Sequence, residues 1–262
     1  MMGVLDGKVA VIAGGSGGFG EGTAIRFRDE GATVWIASRD EARGKESAER
    51  LGARYHPCDI TRSEDVKALA DAVLAESGHI DIAVNSAGYE DNCAFSDLEP
   101  ERVERMVAVQ FTGALYFIQH MANAMKQGGS IITIGSLTAT LTADGYAPYA
   151  GAKAGVNHAT RIAAAEYGPK GVRVNVVSAT LVETPMTAAL TNAPGVRKAF
   201  VAETPLGRFG SIDDIVNAVF WLASSETSFV TGQNLLIDGG TSLRRLPRAA
   251  DFIRSAQEEM AE

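Results

Sequence analysis

The chain has 262 residues and a mass of 27.5 kDa, and its 24 Lys and Arg stand against 32 Asp and Glu for a formal net charge of −8. A general nucleic-acid binder neutralises phosphates with clustered positive charge, and this balance supplies none overall. With 46% hydrophobic and 21% charged residues the composition is that of a globular protein with a large core, which excludes disorder as the main state.

Short runs rich in Val and Ile recur with helix-length segments between them. The first, Lys8 to Ala13, is followed by a glycine-rich turn, and Thr33 to Ala37 and a weaker run at Arg54 to Cys58 come next. Thr61 with Glu64 reads as a capping box opening a helix to about Glu76. After the run Asp81 to Asn85, Pro100 suits the first turn of a long helix to about Lys126. Ser130 to Ile134 and Val172 to Val177 are the next strands. Ser211 with Asp214 starts a helix over Ile215 to Ala223, and Leu235 to Asp238 closes the series. Continuous rather than alternating β-branched runs indicate strands buried on both faces, as in a parallel sheet covered by helices. The expected fold is therefore α/β: a single-domain, doubly wound (Rossmann) parallel sheet of about seven strands flanked by helices. Residues 1–240 would form the dinucleotide-binding and catalytic domain. Residues 241–262 would be a part-helical extension.

Six of the 28 glycines fall between Gly14 and Gly22, directly after the first strand and before a helix. A pyrophosphate needs close approach to backbone N–H groups and gains from the positive end of the following helix, and glycine removes the Cβ that would block it. A merely flexible turn is the alternative. The second strand ends in Ala37-Ser38-Arg39, where an NAD-binding site usually carries an acid for the ribose 2′-hydroxyl. Ser38 followed by Arg39 suits a 2′-phosphate instead, so NADP is expected over NAD. Arg39 could also be a solvated loop residue offset by Asp40.

Tyr149 and Lys153 stand four apart and share one helix face. A phenol is a poor acid or base near neutrality, and a neighbouring ammonium would stabilise the phenolate and bring its pKa towards the working range. Ser136 lies at the end of the Ser130 to Ile134 run, where carboxyl strand ends face the ligand crevice, and should project near that phenol.

On these residues the chain resembles the short-chain dehydrogenases/reductases over roughly Asp6 to Gly240. The glycine loop, with Gly14, Ser16, Gly18, Phe19 and Gly20, corresponds to that family's TGxxxGxG. Asp59, with Ile60 beside it, corresponds to its adenine-contacting Asp, and Asn85-Ser86-Ala87-Gly88 to its NNAG. Ser136, Tyr149 and Lys153 match its catalytic Ser and YxxxK. Val182 and Thr184-Pro185-Met186 fall in its nicotinamide-contacting loop, and Asp238-Gly239-Gly240 matches its closing DGG. The resemblance implies hydride transfer between a nicotinamide and a carbonyl or carbinol carbon. Tyr149 would be general acid or base, Ser136 would bond the substrate oxygen, and Lys153 would lower the Tyr pKa and hold the nicotinamide ribose. It also implies a homotetramer.

Four positions depart from the family pattern. Ala13 replaces a Thr, Gln110 stands where the proton relay has Asn, Ala179 and Thr180 replace Pro-Gly, and Ala152 replaces a small polar residue. Gln110 keeps a backbone carbonyl that could serve the relay, with altered local helix geometry expected. Tyr89, Phe95, Leu137, Tyr146, Leu181, Met186, Leu190 and Phe200 could line a hydrophobic pocket or simply pack a lid.

The remaining signals are weaker. His56, His79, His120 and His158 form no metal set, and Cys58 and Cys93 have neither zinc spacing nor a disulfide framework. No apolar run approaches the roughly 18 residues of a membrane span. Asp6 precedes the first basic residue, Lys8, unlike a secretion signal. A cytoplasmic protein with a small hydrophobic carbonyl or alcohol substrate, and with no nucleic-acid or membrane partner, is the expectation. In the extension, Arg244, Arg245 and Arg248 precede a helix from about Ala249 with Phe252, Ile253, Ala256 and Met260 at its apolar positions. It would clasp a subunit, cover the pocket or fray. An enoyl-thioester reductase and a dinucleotide sensor without turnover are the competing readings. The Ser136/Tyr149 spacing favours carbonyl chemistry over the first, and the intact acid-base set weighs against the second.

Overall fold

The β-branched runs form the strands expected of them. In the computed structural model, which describes residues 3–261, β1 (Val9–Ala13), β2 (Thr33–Ser38), β3 (Arg54–Pro57), β4 (Ile82–Asn85), β5 (Gly129–Ser136), β6 (Val172–Ala179) and β7 (Asn234–Ile237) form one sheet. Every pairing is parallel, in the order β3-β2-β1-β4-β5-β6-β7. The central strands β1 and β4 are buried at every position, whereas the edge strand β3 is partly exposed and its run is correspondingly weak. The order reverses between β1 and β4. At such a switch point the connections leave on opposite faces and open a crevice at the carboxyl ends of the strands.

The helices are α1 (Gly18–Asp29), α2 (Glu41–Leu51), α3 (Ser63–Ser77), α4 (Pro100–Val107), α5 (Gly113–Ala124), α6 (Ala147–Tyr167), α7 (Ala188–Thr191), α8 (Val196–Glu203), α9 (Ile212–Ala223) and α10 (Ala249–Glu259). One face of the sheet buries Phe27 of α1, Leu51 of α2 and Ile215, Val219 and Leu222 of α9 against Ile12, Ile36 and Val177. The other buries Leu69 and Val73 of α3 and Phe117 and Met121 of α5 against Val11, Ala83 and Ile131. Ser211 and Asp214 form the expected capping box of α9.

Three sequence expectations are corrected. Thr61 does not cap α3: its hydroxyl donates to the Asp59 carboxylate at 2.8 Å, and Arg62 takes the cap position without a side-chain bond. The long helix after Pro100 is not uniform, because a π turn, Ala108–Thr112, separates α4 from α5 and carries Gln110. In α10 the exposed residues are Ile253 and Met260, while Asp251 and Ser255 are buried and Phe252 packs inward. The polar residues turn inward because the buried Asp251 carboxylate is already satisfied. It accepts from Arg245, Arg254 and the Arg248 N–H, and those cations hold it well below the usual carboxylate range.

These contacts seat the C-terminal segment over the carboxyl edge of the sheet. Phe252 stacks on Phe200 of α8 with ring centroids 6.0 Å apart. Gly195, at φ +72°, lets the two helices meet: a Cβ there would lie 2.1 Å from the Phe252 carbonyl oxygen. Leu137, Val196, Phe200, Phe209 and Leu246 complete a small apolar cluster apart from the two main cores. Leu246, Pro247 and Phe252 of this segment line a cavity at that edge. Among the described residues no helix is long and apolar enough to cross a membrane.

Candidate active site

One cavity of about 1480 Å³ opens along the carboxyl ends of the strands. At the β1 end the chain turns sharply: Gly14 N–H donates to the Ala37 carbonyl at 2.8 Å, and Ser86 N–H donates to the Ala13 carbonyl at 2.9 Å. Gly14, at φ +76°, sits so close to the β4 loop that a Cβ would lie 2.7 Å from the Ala87 nitrogen. The Asn85 side chain, buried at the end of β4, accepts from Ala87 N–H at 3.1 Å and so shapes that loop. Neither Asn85 nor Gly20 lines the cavity. A Cβ on Gly20 would meet the Gly14 carbonyl oxygen at 2.2 Å, so this glycine lets α1 pack on the turn.

Gly14, Ser16, Gly18, Phe19, Ser38, Arg39, Asp59, Ile60, Ala87, Gly88, Val182 and Thr184 all line the cavity. Gly17, at the start of α1, offers no side-chain cap, so the first N–H groups of the helix have no side-chain partner. A Cβ on Gly18 would face open space. Arg43, which the sequence reading passed over, also lines the cavity, and its guanidinium would stand 2.8 Å from a Cβ placed on Gly17. Arg43 stands in α2 among several other charged residues, so no periodic signal marked it in the sequence. Asp40 is occupied in capping α2, where it accepts from Arg43 N–H at 3.0 Å. A glycine turn and a free helix N-terminus fit the diphosphate of a dinucleotide, and the Arg43 guanidinium beside them offers positive charge to a further phosphate.

At the other end, β5 delivers Ser136 and α6 delivers Tyr149 and Lys153 to the same cavity. Tyr149 is hydrogen-bonded to Ser136. Ser136 Oγ also accepts from Thr138 N–H at 3.2 Å, capping the turn that follows β5. Lys153 is buried and donates to the Ile134 carbonyl at 2.7 Å.

Burial pushes Tyr149 up to about 12, opposed by its Ser136 bond, and the carboxylate of Glu90 adds to the rise. Burial pulls Lys153 down to about 8. The Lys153 Nζ lies 5.6 Å from the centre of the Tyr149 ring and is directed to the Ile134 carbonyl.

The departures have physical consequences. Gln110 is buried, donates through Nε2 to the Tyr89 carbonyl, and lies against Gly88, where a Cβ would be 2.8 Å from Nε2. Its Oε1 has no partner among the described residues. Ala179, unlike a proline, continues strand pairing with Ser136 and Ile237. Thr180 follows it into the cavity wall with a buried, unpartnered hydroxyl. Of the expected apolar lining, Tyr89, Leu137, Tyr146, Leu181, Met186, Leu190 and Phe200 are present, while Phe95 is 78% exposed and outside the cavity. Leu246, Pro247 and Phe252 of the C-terminal segment join the lining, a contribution visible only once α10 is seen to fold back. Among the described residues no His, Cys, Asp and Glu group could hold a metal.

A family model described as Enoyl-(Acyl carrier protein) reductase matches residues 13–242. A solved short-chain type dehydrogenase/reductase from Mycobacterium ulcerans superposes with a TM-score of 0.90 at 32% identity, covering 93% of this chain and 92% of that one. The chain is a short-chain dehydrogenase/reductase. Among relatives of this short-chain dehydrogenase/reductase, D-threitol dehydrogenase of Mycolicibacterium smegmatis is 33% identical over 247 residues, 92% of this chain and 95% of that protein. A gluconate 5-dehydrogenase of Burkholderia cenocepacia, solved in complex with NADP and tartrate, has a TM-score of 0.88 at 30% identity, covering 92% and 97%. The chain is accordingly an oxidoreductase, of a family that uses a nicotinamide dinucleotide.

The orphaned Thr180 hydroxyl gives a stability test. Thr180→Val removes an unsatisfied buried polar group at nearly constant shape, so the free protein should gain about 1–2 kcal/mol in denaturant unfolding. A loss of stability in that variant would show that the hydroxyl is satisfied in the native state.

Proposed function

We propose that the protein transfers a hydride between NADP(H) and a secondary alcohol/ketone pair, with Tyr149 as proton donor in reduction and proton acceptor in oxidation. The observation that carries this reading is the Ser136–Tyr149 hydrogen bond in the cavity that the glycine turn also lines. When bound, the dinucleotide supplies the hydride at its nicotinamide ring. Ser136 binds and orients the substrate oxygen beside the phenol. Tyr149, kept protonated by burial, has a proton to give to a developing alkoxide. Lys153 holds the cofactor ribose, and Val182 and Thr184 line the nicotinamide side. Gln110 supports the loop behind the phenol through the Tyr89 carbonyl. The apolar residues of α8 and the C-terminal segment exclude water. Asp59 and Ile60 flank the adenine end, and Arg39 and Arg43 the 2′-phosphate. The homotetramer that the family resemblance implies is retained as part of this reading.

Reduction of an enoyl thioester is a second reading, in keeping with the description of the family model. The Ser136–Tyr149 bond favours the carbonyl reaction, because a serine that shares the substrate oxygen with the phenol suits an oxygen taking up a proton.

Tyr149→Phe should keep the fold and cofactor affinity and lose roughly 100- to 10,000-fold in kcat for oxidation of a secondary alcohol, read by absorbance of the reduced cofactor. More than about a tenth of wild-type kcat in that variant rules out the proton-transfer role. For the cofactor, Arg39→Ala should weaken NADP by roughly 10- to 100-fold and leave NAD nearly unchanged, with Arg43→Ala acting in the same direction. Fluorescence titrations of both dinucleotides decide it. Unaltered NADP affinity in the double variant contradicts the 2′-phosphate assignment.

A further inference from the structure

The cavity carries one polar cluster that the proposed reaction does not use. Glu90, half-buried on the loop after β4, lines the cavity beside Tyr146 and Asn92. The Tyr146 hydroxyl donates to the Glu90 carboxylate and is itself hydrogen-bonded to Asn92. Asn92 Nδ2 also donates to the Asp144 carbonyl at 3.1 Å, and Cys93 N–H donates to the Gly145 carbonyl at 2.9 Å, so two loops are stitched together around the carboxylate. Gly145, at φ +82°, permits this approach: a Cβ would lie 2.5 Å from Asn92 Nδ2.

The cluster adjoins the proposed reacting position. Tyr146 precedes Tyr149 by three residues, the ring centroids are 6.1 Å apart in an edge-on arrangement, and the Glu90 charge acts on the Tyr149 phenol. Glu90 has no cation partner among the described residues, and Arg102, which reaches this loop, is taken by Asp91 and the Asn92 carbonyl. Burial pushes the Glu90 carboxyl up, with the Tyr146 bond opposing. A half-buried carboxylate with one donor has acceptor positions left over, and a ligand that supplies a donor relieves the cost of its desolvation.

We propose that Glu90, positioned by Tyr146 and Asn92, accepts a hydrogen bond from a second hydroxyl of the substrate, one or two carbons from the reacting carbinol, and so selects diols and hydroxyketones over simple alcohols and ketones. The inference rests on the alcohol/ketone reading above and names the substrate class of that same site. The apolar wall of Leu137, Leu181, Leu190 and Phe200 faces the same cavity, so the preferred substrate has a polar edge and an apolar remainder. Glu90 binds and orients; it carries no proton in the reaction.

The test compares kcat/KM for cyclohexanol, cis-1,2-cyclohexanediol, cis-1,3-cyclohexanediol and 2-aminocyclohexanol with NADP in the wild type, Glu90→Gln and Glu90→Leu. A hydrogen bond to a charged group corresponds to roughly 10- to 100-fold, so one of the diols should exceed cyclohexanol by that factor in the wild type. The ratio should fall to near one in Glu90→Leu and to an intermediate value in Glu90→Gln, which keeps an acceptor oxygen. A diol-to-cyclohexanol ratio that is already near one, or that survives in Glu90→Leu, overturns the proposal. Preference for the amino alcohol over both diols overturns it in favour of a cationic substrate. Calorimetric titration of the diols into wild type and Glu90→Leu reads the same contrast without turnover. Absence of turnover with every alcohol would therefore count against the reaction, and absence of Glu90-dependent diol binding against the proposal.

Discussion

A single cation buried at the edge of the sheet constrains much of the site. Lys153 enters from α6 with its ammonium removed from water, and its anchor is the Ile134 carbonyl. That carbonyl is available because β4 stops at Asn85 opposite Thr133, while β5 continues to Ser136 paired with β6 alone. The extra length of β5 thus creates both the anchor for Lys153 and the exposed end that presents Ser136. Fixing the lysine fixes α6, and α6 sets Tyr149 one turn earlier against Ser136. Burial then pulls the lysine down and the phenol up.

Most of the sheet was legible in the sequence because buried parallel strands have a plain signature. Val9 to Ala13 and Ile82 to Asn85 are continuous apolar or β-branched runs, and their ends carry Gly14 and Asn85 at the switch point. The triad was legible for a related reason, since helix periodicity and strand-end position are local properties of the chain. Long-range returns were not. Phe252 and Leu246 meet the cavity only because Asp251 gathers Arg245 and Arg254 and turns α10 back onto α8. Arg43 and Glu90 are single charged residues without a periodic pattern, and their surroundings come from segments far along the chain or from a turn of backbone. The Thr61 cap failed because a carboxylate two residues earlier, Asp59, competes for the same hydroxyl.

The cavity has two unlike ends that share one wall. Glycines and guanidinium groups dominate near β1 and β2, where backbone N–H groups and charge suit phosphate. Near β5 and β6 the lining turns more apolar, with Leu137, Leu181, Leu190 and Phe200 beside the hydroxyls of Ser136, Tyr149 and Thr180. The C-terminal cover belongs to the apolar end, so it affects access to the proposed reacting position more directly than the dinucleotide cradle. Gln110 lies between the ends. Its π turn and its bond to the Tyr89 carbonyl tie the loop carrying Glu90 to the helix that crosses behind it.

If burial governs the Tyr149–Lys153 pair, an NMR titration of the Lys153 side chain is the most direct measurement. The free protein labelled at the lysine Cε would be titrated, and the Lys153→Met spectrum would assign the resonance. A midpoint near 8 is expected, because the anchored ammonium loses its hydration inside the protein. A midpoint at the ordinary lysine value of 10.5 would contradict it, showing that the ammonium is solvated or paired and that desolvation does not set the chemistry of this site.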